Sequence, residues 1–305
     1  AANADMFTSS DFVGLPIVDG HVDIPDGYTS IGRYSMNNTS ATSVSIPDSV
    51  TSINDEAFEG SGIQKVSLGN GVTHIGEEAF RNSSVNEIEF GNSLTSIDRY
   101  AFYGTNLGSI TLPDSLEQIG DYAFIYSYPD ELILGNNLIS IGREAFKNNQ
   151  LESLNLPDSL VSIGYEAFQN GTIKNINFGA GLRSIDSYAF ENNRIETVNF
   201  QNNLYSISSN AFQSNRLSTL EIPNSVTSIS GSAFSDNMIH EVIIGTGLSS
   251  LGGSSFADQK DAFGLPLQNM DLYIINDGKD FFDSIANEFD MDGNYYDLQG
   301  NYNPN

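Results

Sequence analysis

Apolar and polar positions along this chain repeat every 22 residues, from about residue 19 to about residue 260. The unit at 107–128 shows the pattern. Ile110 and Leu112 alternate with polar Ser109 and Thr111, which predicts a short strand with one buried face. Pro113-Asp114-Ser115 then turns the chain, because proline presets φ and Asp and Ser bond nearby backbone. Leu116 and Ile119 point inward again across a second extended run. Gly, Asn, Asp or Ser occupies position 120 and its equivalents, often with acidic residues after it. Those residues start helices, so a brief helical turn is predicted, closing on Ala123-Phe124.

Phe58, Phe80, Phe102, Phe124, Phe146, Phe168, Phe190, Phe212, Phe234 and Phe256 keep the 22-residue spacing without a slip. The register extends back to Met36, so eleven units are counted. One unit cannot bury its own apolar positions. A solenoid is therefore predicted, in which each unit is one coil and each Phe packs on those above and below. At the usual inter-strand spacing of ~4.8 Å, the coils would extend roughly 50 Å. Residues 1–18 carry Met6, Phe7, Phe12, Val13, Leu15 and Ile17 and are read as an N-terminal cap. The solenoid occupies 19–260, and 261–305 is read as a C-terminal cap. That last segment has a strand at 270–274, an amphipathic helix over 279–289 with Phe281, Phe282, Ile285 and Phe289 on one face, and a polar tail.

The wording "LESLNLPDSLVSIGYEAF" at 151–168 and "LSTLEIPNSVTSISGSAF" at 217–234 resembles the unit of the BspA-like, or Treponema-type, leucine-rich repeat family. The resemblance implies a leucine-rich repeat solenoid of parallel strands with short helical turns. It also implies a bacterial or protist surface or secreted protein used for adhesion. The family often has Cys three residues after the Phe. Here Ser61, Ser83, Thr105, Ser127, Asn149, Gly171, Asn193, Asn215 and Asn237 stand there, and the polar ones are expected to bond the turns as a ladder.

Composition narrows the function. With 39 acidic and 12 basic residues the net charge is −27, which repels nucleic acid and anionic lipid. That charge suits a surface in a salty extracellular medium. No apolar run reaches membrane-spanning length. No signal peptide is recognised, which suits a processed or trimmed chain, with Ala2-Asn3-Ala4 as the remainder of a cleavage site. The absence of Cys removes thiol chemistry and disulfide scaffolds.

Catalysis needs convergent groups, and the sequence offers few. His21 and His240 are ten coils apart, and His74 lies on the other extended run, so the three cannot act together. No nucleophile, P-loop or dinucleotide motif is found. Glu87, Glu89 and Glu131 face outward at spacings a hydrolase can use, but a solvated acidic face is the preferred reading. Asp290-Met291-Asp292-Gly293-Asn294 hints at a calcium loop, but Gly and the final carboxylate are misplaced for one. Neither catalytic residue, metal nor cofactor is assigned.

Two surface features remain. Tyr100, Tyr103, Tyr122, Tyr126 and Tyr128 cluster on the turn side of adjacent coils. They can anchor a partner or simply cover the core. Asn155, Asn177 and Asn199 succeed one another on the outward strand position. They read as a side-chain ladder, the preferred account, or as an amide strip holding a glycan or extended peptide. The sequence thus points to a non-enzymatic, extracellular or cell-surface module that recognises a protein or glycan. The alternative is a passive spacer or coat component of a larger surface protein.

Overall fold

The structure is a computed structural model that describes residues 5–266 and, beyond them, the backbone of strands Asp271–Ile274, Asn294–Asp297 and Tyr302–Pro304. The chain forms two compact units, Ala1–Leu151 and Glu152–Asn305. Each is a parallel-strand solenoid, and the 22-residue turns number about eleven in all.

Every coil contributes a two-residue strand, and most contribute a longer one. In the first unit the short strands run from Met6–Phe7 and Ser30–Ile31 to Ser140–Ile141, each paired in parallel with the next. In the second they run from Ser162–Ile163 to Ser250–Leu251. From Ser30 onward each residue pairs with its equivalent in the next coil, as Ile31 with Ile53, so like stacks on like. Alternation puts Ile110, Leu112, Leu116 and Ile119 inside, none more than 3% exposed.

The Phe residues form the core axis. In the first unit Phe58, Phe80, Phe102, Phe124 and Phe146 stack with centroids 4.5 to 5.0 Å apart. In the second, Phe168, Phe190, Phe212, Phe234 and Phe256 stack at 5.3 to 5.5 Å. These spacings approach the natural strand separation of ~4.8 Å, so rings and backbone stack with one repeat.

The expected helical turns do not form; Ser9–Phe12 is the one α-helix among the described residues. Two residues before Met36 and before each Phe of the stack, the backbone turns left-handed, with φ between 50° and 61° at Tyr34, Glu56, Glu78, Tyr100, Tyr122 and on to Ser254. In an α-helix the amide bonds a carbonyl four residues back. Here it reaches the next coil: Glu78 N to Arg99 O at 3.0 Å, Tyr100 N to Asp121 O at 3.1 Å, Phe102 N to Ala123 O at 2.7 Å. Left-handed backbone costs a non-glycine residue about 1–2 kcal/mol, which the inter-coil bonds offset.

The polar position three residues after the Phe bonds the turns in most coils, but not at Ser83, whose buried hydroxyl has no partner among the described residues. Asn215 is 7% exposed. Its amide donates to Phe190 O at 2.8 Å and Phe212 O at 3.1 Å, and its carbonyl accepts from Ile195 N at 3.0 Å. Asn193, Asn237 and Gln259 repeat the arrangement. Thr105 and Ser127 reach only their own coil's Phe carbonyl. Gly171 supplies no side chain.

At the start, Phe7 is buried against Phe12 and Tyr28, while Val13 and Ile17 are exposed. After residue 260 the register changes, as expected, and Glu241 pairs with Asp271. Lys260 and Pro266 form an isolated antiparallel bridge. The helix expected over 279–289 and the calcium-like stretch at 290–293 lie outside the described residues.

Two stability measurements follow from this packing. Phe102→Ala removes a ring stacked on both sides and should cost ~3–5 kcal/mol. Asn215→Leu leaves buried carbonyls and an amide without partners and should cost ~1–3 kcal/mol although it adds apolar surface. Urea denaturation of the intact chain checks both; a neutral Asn215→Leu would show that the amide ladder contributes nothing.

Candidate functional site

The five tyrosines expected to cluster do meet, all in the first unit. Tyr100 and Tyr122 occupy the left-handed turn position of successive coils and stack at 4.7 Å. Tyr103 lies edge-on to Tyr100 at 5.8 Å and to Tyr126 at 5.5 Å. Tyr128 continues the row, 6.4 Å from Tyr126. Tyr126 and Tyr128, also left-handed, are 40% and 44% exposed, and the other three are half-buried. None joins the Phe stack.

Arginines complete the strip. Arg99 lies over Tyr100 at 4.8 Å and Tyr122 at 5.6 Å. Arg143 lies over Tyr122 at 6.0 Å and Arg81 over Tyr103 at 5.5 Å. Arg81 also pairs with Glu78 at 2.7 Å, which raises its pKa. Arg99 makes no ion pair among the described residues. Along the same turn face, Glu56 is held below the usual carboxylate range, first by the Tyr34 hydroxyl and then by Arg33. Sequence reasoning found the tyrosines and missed these cations. The signal for Arg99 is its place at the turn position that Glu77 holds one coil earlier.

The asparagine strip divides. Asn177 donates to Asn155 Oδ1 at 2.6 Å, as a side-chain ladder requires. Asn199 joins no such ladder, because its coil forms only a single bridge, Asn175 with Thr197. The interruption coincides with Phe in the core column. The amide two residues past the central strand position normally bonds the next coil, as Ile46 N to Ser67 O, Leu68 N to Glu89 O, Leu112 N to Ile133 O and Leu156 N to Asn177 O. Phe90, Phe178 and Phe200 stand at this position and lack that bond among the described residues. Their rings turn edge-on to the central stack: Phe90 on Phe102 at 5.7 Å, Phe178 on Phe190 at 5.8 Å, Phe200 on Phe212 at 5.5 Å. In the coils of Phe90 and Phe200 the central strand residues Ile88 and Val198 are half-exposed, whereas Ile176 in the coil of Phe178 stays buried. Long-strand pairing is interrupted between Glu87–Glu89 and Ser109–Thr111 in the first unit, and between Asn175–Asn177 and Thr219–Ile222 in the second. The signal was legible as Phe in a column of Leu and Ile.

Two histidines bond serine and aspartate at once. His21 Nδ1 meets Ser43 Oγ at 2.6 Å, and its Nε2 meets Asp23 at 3.2 Å and Ser45 at 3.1 Å. His74 Nδ1 meets Ser96 Oγ at 2.6 Å, and its Nε2 meets Asp98 at 3.1 Å. These residue types build hydrolytic triads, but here the serine contacts and His74–Asp98 link adjacent coils, and His21–Asp23 lies within one strand. Asp23 is 84% exposed, where water screens its charge. The His240 ring meets a backbone carbonyl, that of Met238, at 3.5 Å. The outward carboxylates are similarly engaged: Glu87 with Lys65 at 2.8 Å, Glu89 with Ser67 at 3.2 Å, Glu131 with Ser109 at 3.1 Å. Glu56, Glu59 and Glu78 place oxygens within 4.8 Å of one another, but Glu56 and Glu78 already face Arg33 and Arg81.

Among the described residues, no helix is long and apolar enough to cross a membrane. Residues 20–130 and 139–262 match the family described as BspA type leucine rich repeat region, in 6 copies. A leucine-rich repeat protein from Bacteroides ovatus is 21% identical, with a TM-score of 0.61 over 84% of this chain and 80% of that one. The pneumococcal vaccine antigen PcpA is 18% identical, with a TM-score of 0.43 over 92% of this chain and 95% of that one. A leucine rich cell surface protein from Faecalibacterium prausnitzii is 22% identical, with a TM-score of 0.31 over 90% of this chain and 91% of that one. No curated protein matches the chain.

Proposed function

The chain belongs to the BspA-type leucine-rich repeat family, and from that premise we propose that it is a non-enzymatic recognition module, secreted or displayed on a cell surface, that grips a protein partner through the tyrosine–arginine strip of its first unit. The observation that carries this reading is the unbroken row from Tyr100 to Tyr128 with three arginines on its ring faces. Tyr and Arg are the residues that dominate binding hot spots, because they bring large rigid contact area with polar tips. In a chain of net charge −27, a place where cations gather is where an acidic partner surface meets least repulsion. The stacked Phe core does not need these rings, so their presence calls for another account. The acidic surface fits an extracellular setting.

The spacer alternative rests on the regularity of the coils and predicts no ligand at all. Tyr103→Ser combined with Tyr126→Ser separates the two. Ser235 and Ser214 hold the equivalent positions in later coils, and Ser214 is left-handed there too, so the variant should fold. Loss of the edge-on ring contacts should reduce stability by no more than about 1–2 kcal/mol. Binding to arrays of immobilised extracellular and matrix proteins should weaken at least tenfold, or about 1.4 kcal/mol. If the unmodified chain binds nothing on such arrays, the spacer reading stands. If binding survives in the variant while the melting temperature falls sharply, the rings are cover for the core.

A further inference from the structure

The interrupted sheet beside Phe200 leaves a second kind of surface. Between the coil of Asn199 and the coil of Glu221 the long strands do not pair, and a cleft of about 440 Å³ lies there. Its polar lining includes Asn199, Gln201, Asn202, Asn224 and Glu221, so it offers four amides and one carboxylate. The size falls within the ~300–1,000 Å³ range of small-molecule sites. Gln201 donates to the Asn199 carbonyl at 3.5 Å, a long substitute for the missing sheet bond.

The same break occurs five coils earlier, after Phe90, with different residues around it. The corners of residues 41–150 read Pro47, Gly69, Gly91, Pro113, Gly135, and those of 151–260 read Pro157, Gly179, Gln201, Pro223, Gly245. The five-coil pattern is thus present twice, and in each copy the third coil's long strand is unpaired with the fourth's. At the first break Glu89, Gly91 and Asp114 stand where the second has Asn199, Gln201 and Asn224. Two carboxylates have become amides and a glycine has gained a side chain. The core requires none of these outward changes.

We propose that the cleft at Phe200 binds a neutral saccharide. Each primary amide donates two hydrogen bonds and accepts at its carbonyl, which matches hydroxyl groups that both donate and accept. An anionic ligand would meet Glu221 and the overall negative charge. An extended peptide cannot slot in as a new strand, since that needs flanking strands about 9.6 Å apart, twice the usual ~4.8 Å separation. The two coils are tied on their other sides, by pairing of Ser206–Ile207 with Ser228–Ile229 and by Phe212 N to Ala233 O at 2.8 Å. Sugar hydroxyls need no such separation.

The test is saturation-transfer difference NMR on the whole chain with maltotriose, cellotriose, mannotriose and chitotriose, all uncharged. At least one should show transfer to its ring protons. Asn199→Ala with Gln201→Ala should weaken that binding at least tenfold. Asn224→Asp covers the case in which the double variant fails to fold. It restores the residue type of Asp114 and keeps the acceptor that holds Thr246 N at 2.9 Å, as Asp114 holds Asn136 N at 3.0 Å. It should weaken binding to a similar degree. The chain with Tyr103→Ser and Tyr126→Ser should bind the sugar unchanged, because this site is independent of the tyrosine strip. Absence of transfer to all four sugars overturns the proposal, as does binding that both cleft variants leave intact. Displacement of the sugar by an uncharged decapeptide of equal affinity also overturns it, in favour of a peptide site.

Discussion

The Phe stack is the contact that the remaining structure is built around. Ten rings recur at one spacing, and within each unit successive centroids lie 4.5 to 5.5 Å apart. A ring is useful only directly over its neighbour, so every coil must return the chain to the same place once per repeat. An insertion would move a ring off the axis and leave a void of side-chain size. This explains why length is kept strictly while outward residues vary freely.

Closing a coil in so few residues strains the turn. Two left-handed positions recur, one before each Phe and one after it, and Glu, Tyr, Asn and Ser occupy them as readily as Gly. The amides that this geometry turns outward along the stack are received by the next coil, and buried Asn215 and its equivalents hold carbonyls of two coils at once. A single coil would carry the strain and unpaired groups with no partner. Stability therefore resides in the interfaces between coils, as expected of a one-dimensional array.

The two proposed binding surfaces arise in different ways. The tyrosine–arginine strip is added on top of a regular coil, through residues whose backbone positions accept almost any side chain. The cleft at Phe200 lies where the long strands stop pairing, so that outward amides such as Asn199 stand outside the ladder. Asn155 and Asn177 show what those amides do when the sheet is intact: they bond each other. Identical residue types thus differ in availability according to whether their strands pair.

The sequence by itself determined the coil length, the inward and outward sides of each strand, the Phe axis, the polar ladder after the Phe in most coils and the neighbourhood of the five tyrosines. Those follow from periodicity, and a strict period leaves like residues no choice but to stack. Only the tertiary structure decided the turn before each Phe. Gly120-Asp121 and its equivalents look like helix starts, but the amides that would continue a helix find carbonyls in the following coil, which local sequence does not contain. It alone also decided that Arg81, Arg99 and Arg143 meet the tyrosine faces, and that Asn199 parts from Asn155 and Asn177. In each case the deciding contact is lateral, between neighbouring coils, and a lateral contact acquires its geometry only when the coils are stacked.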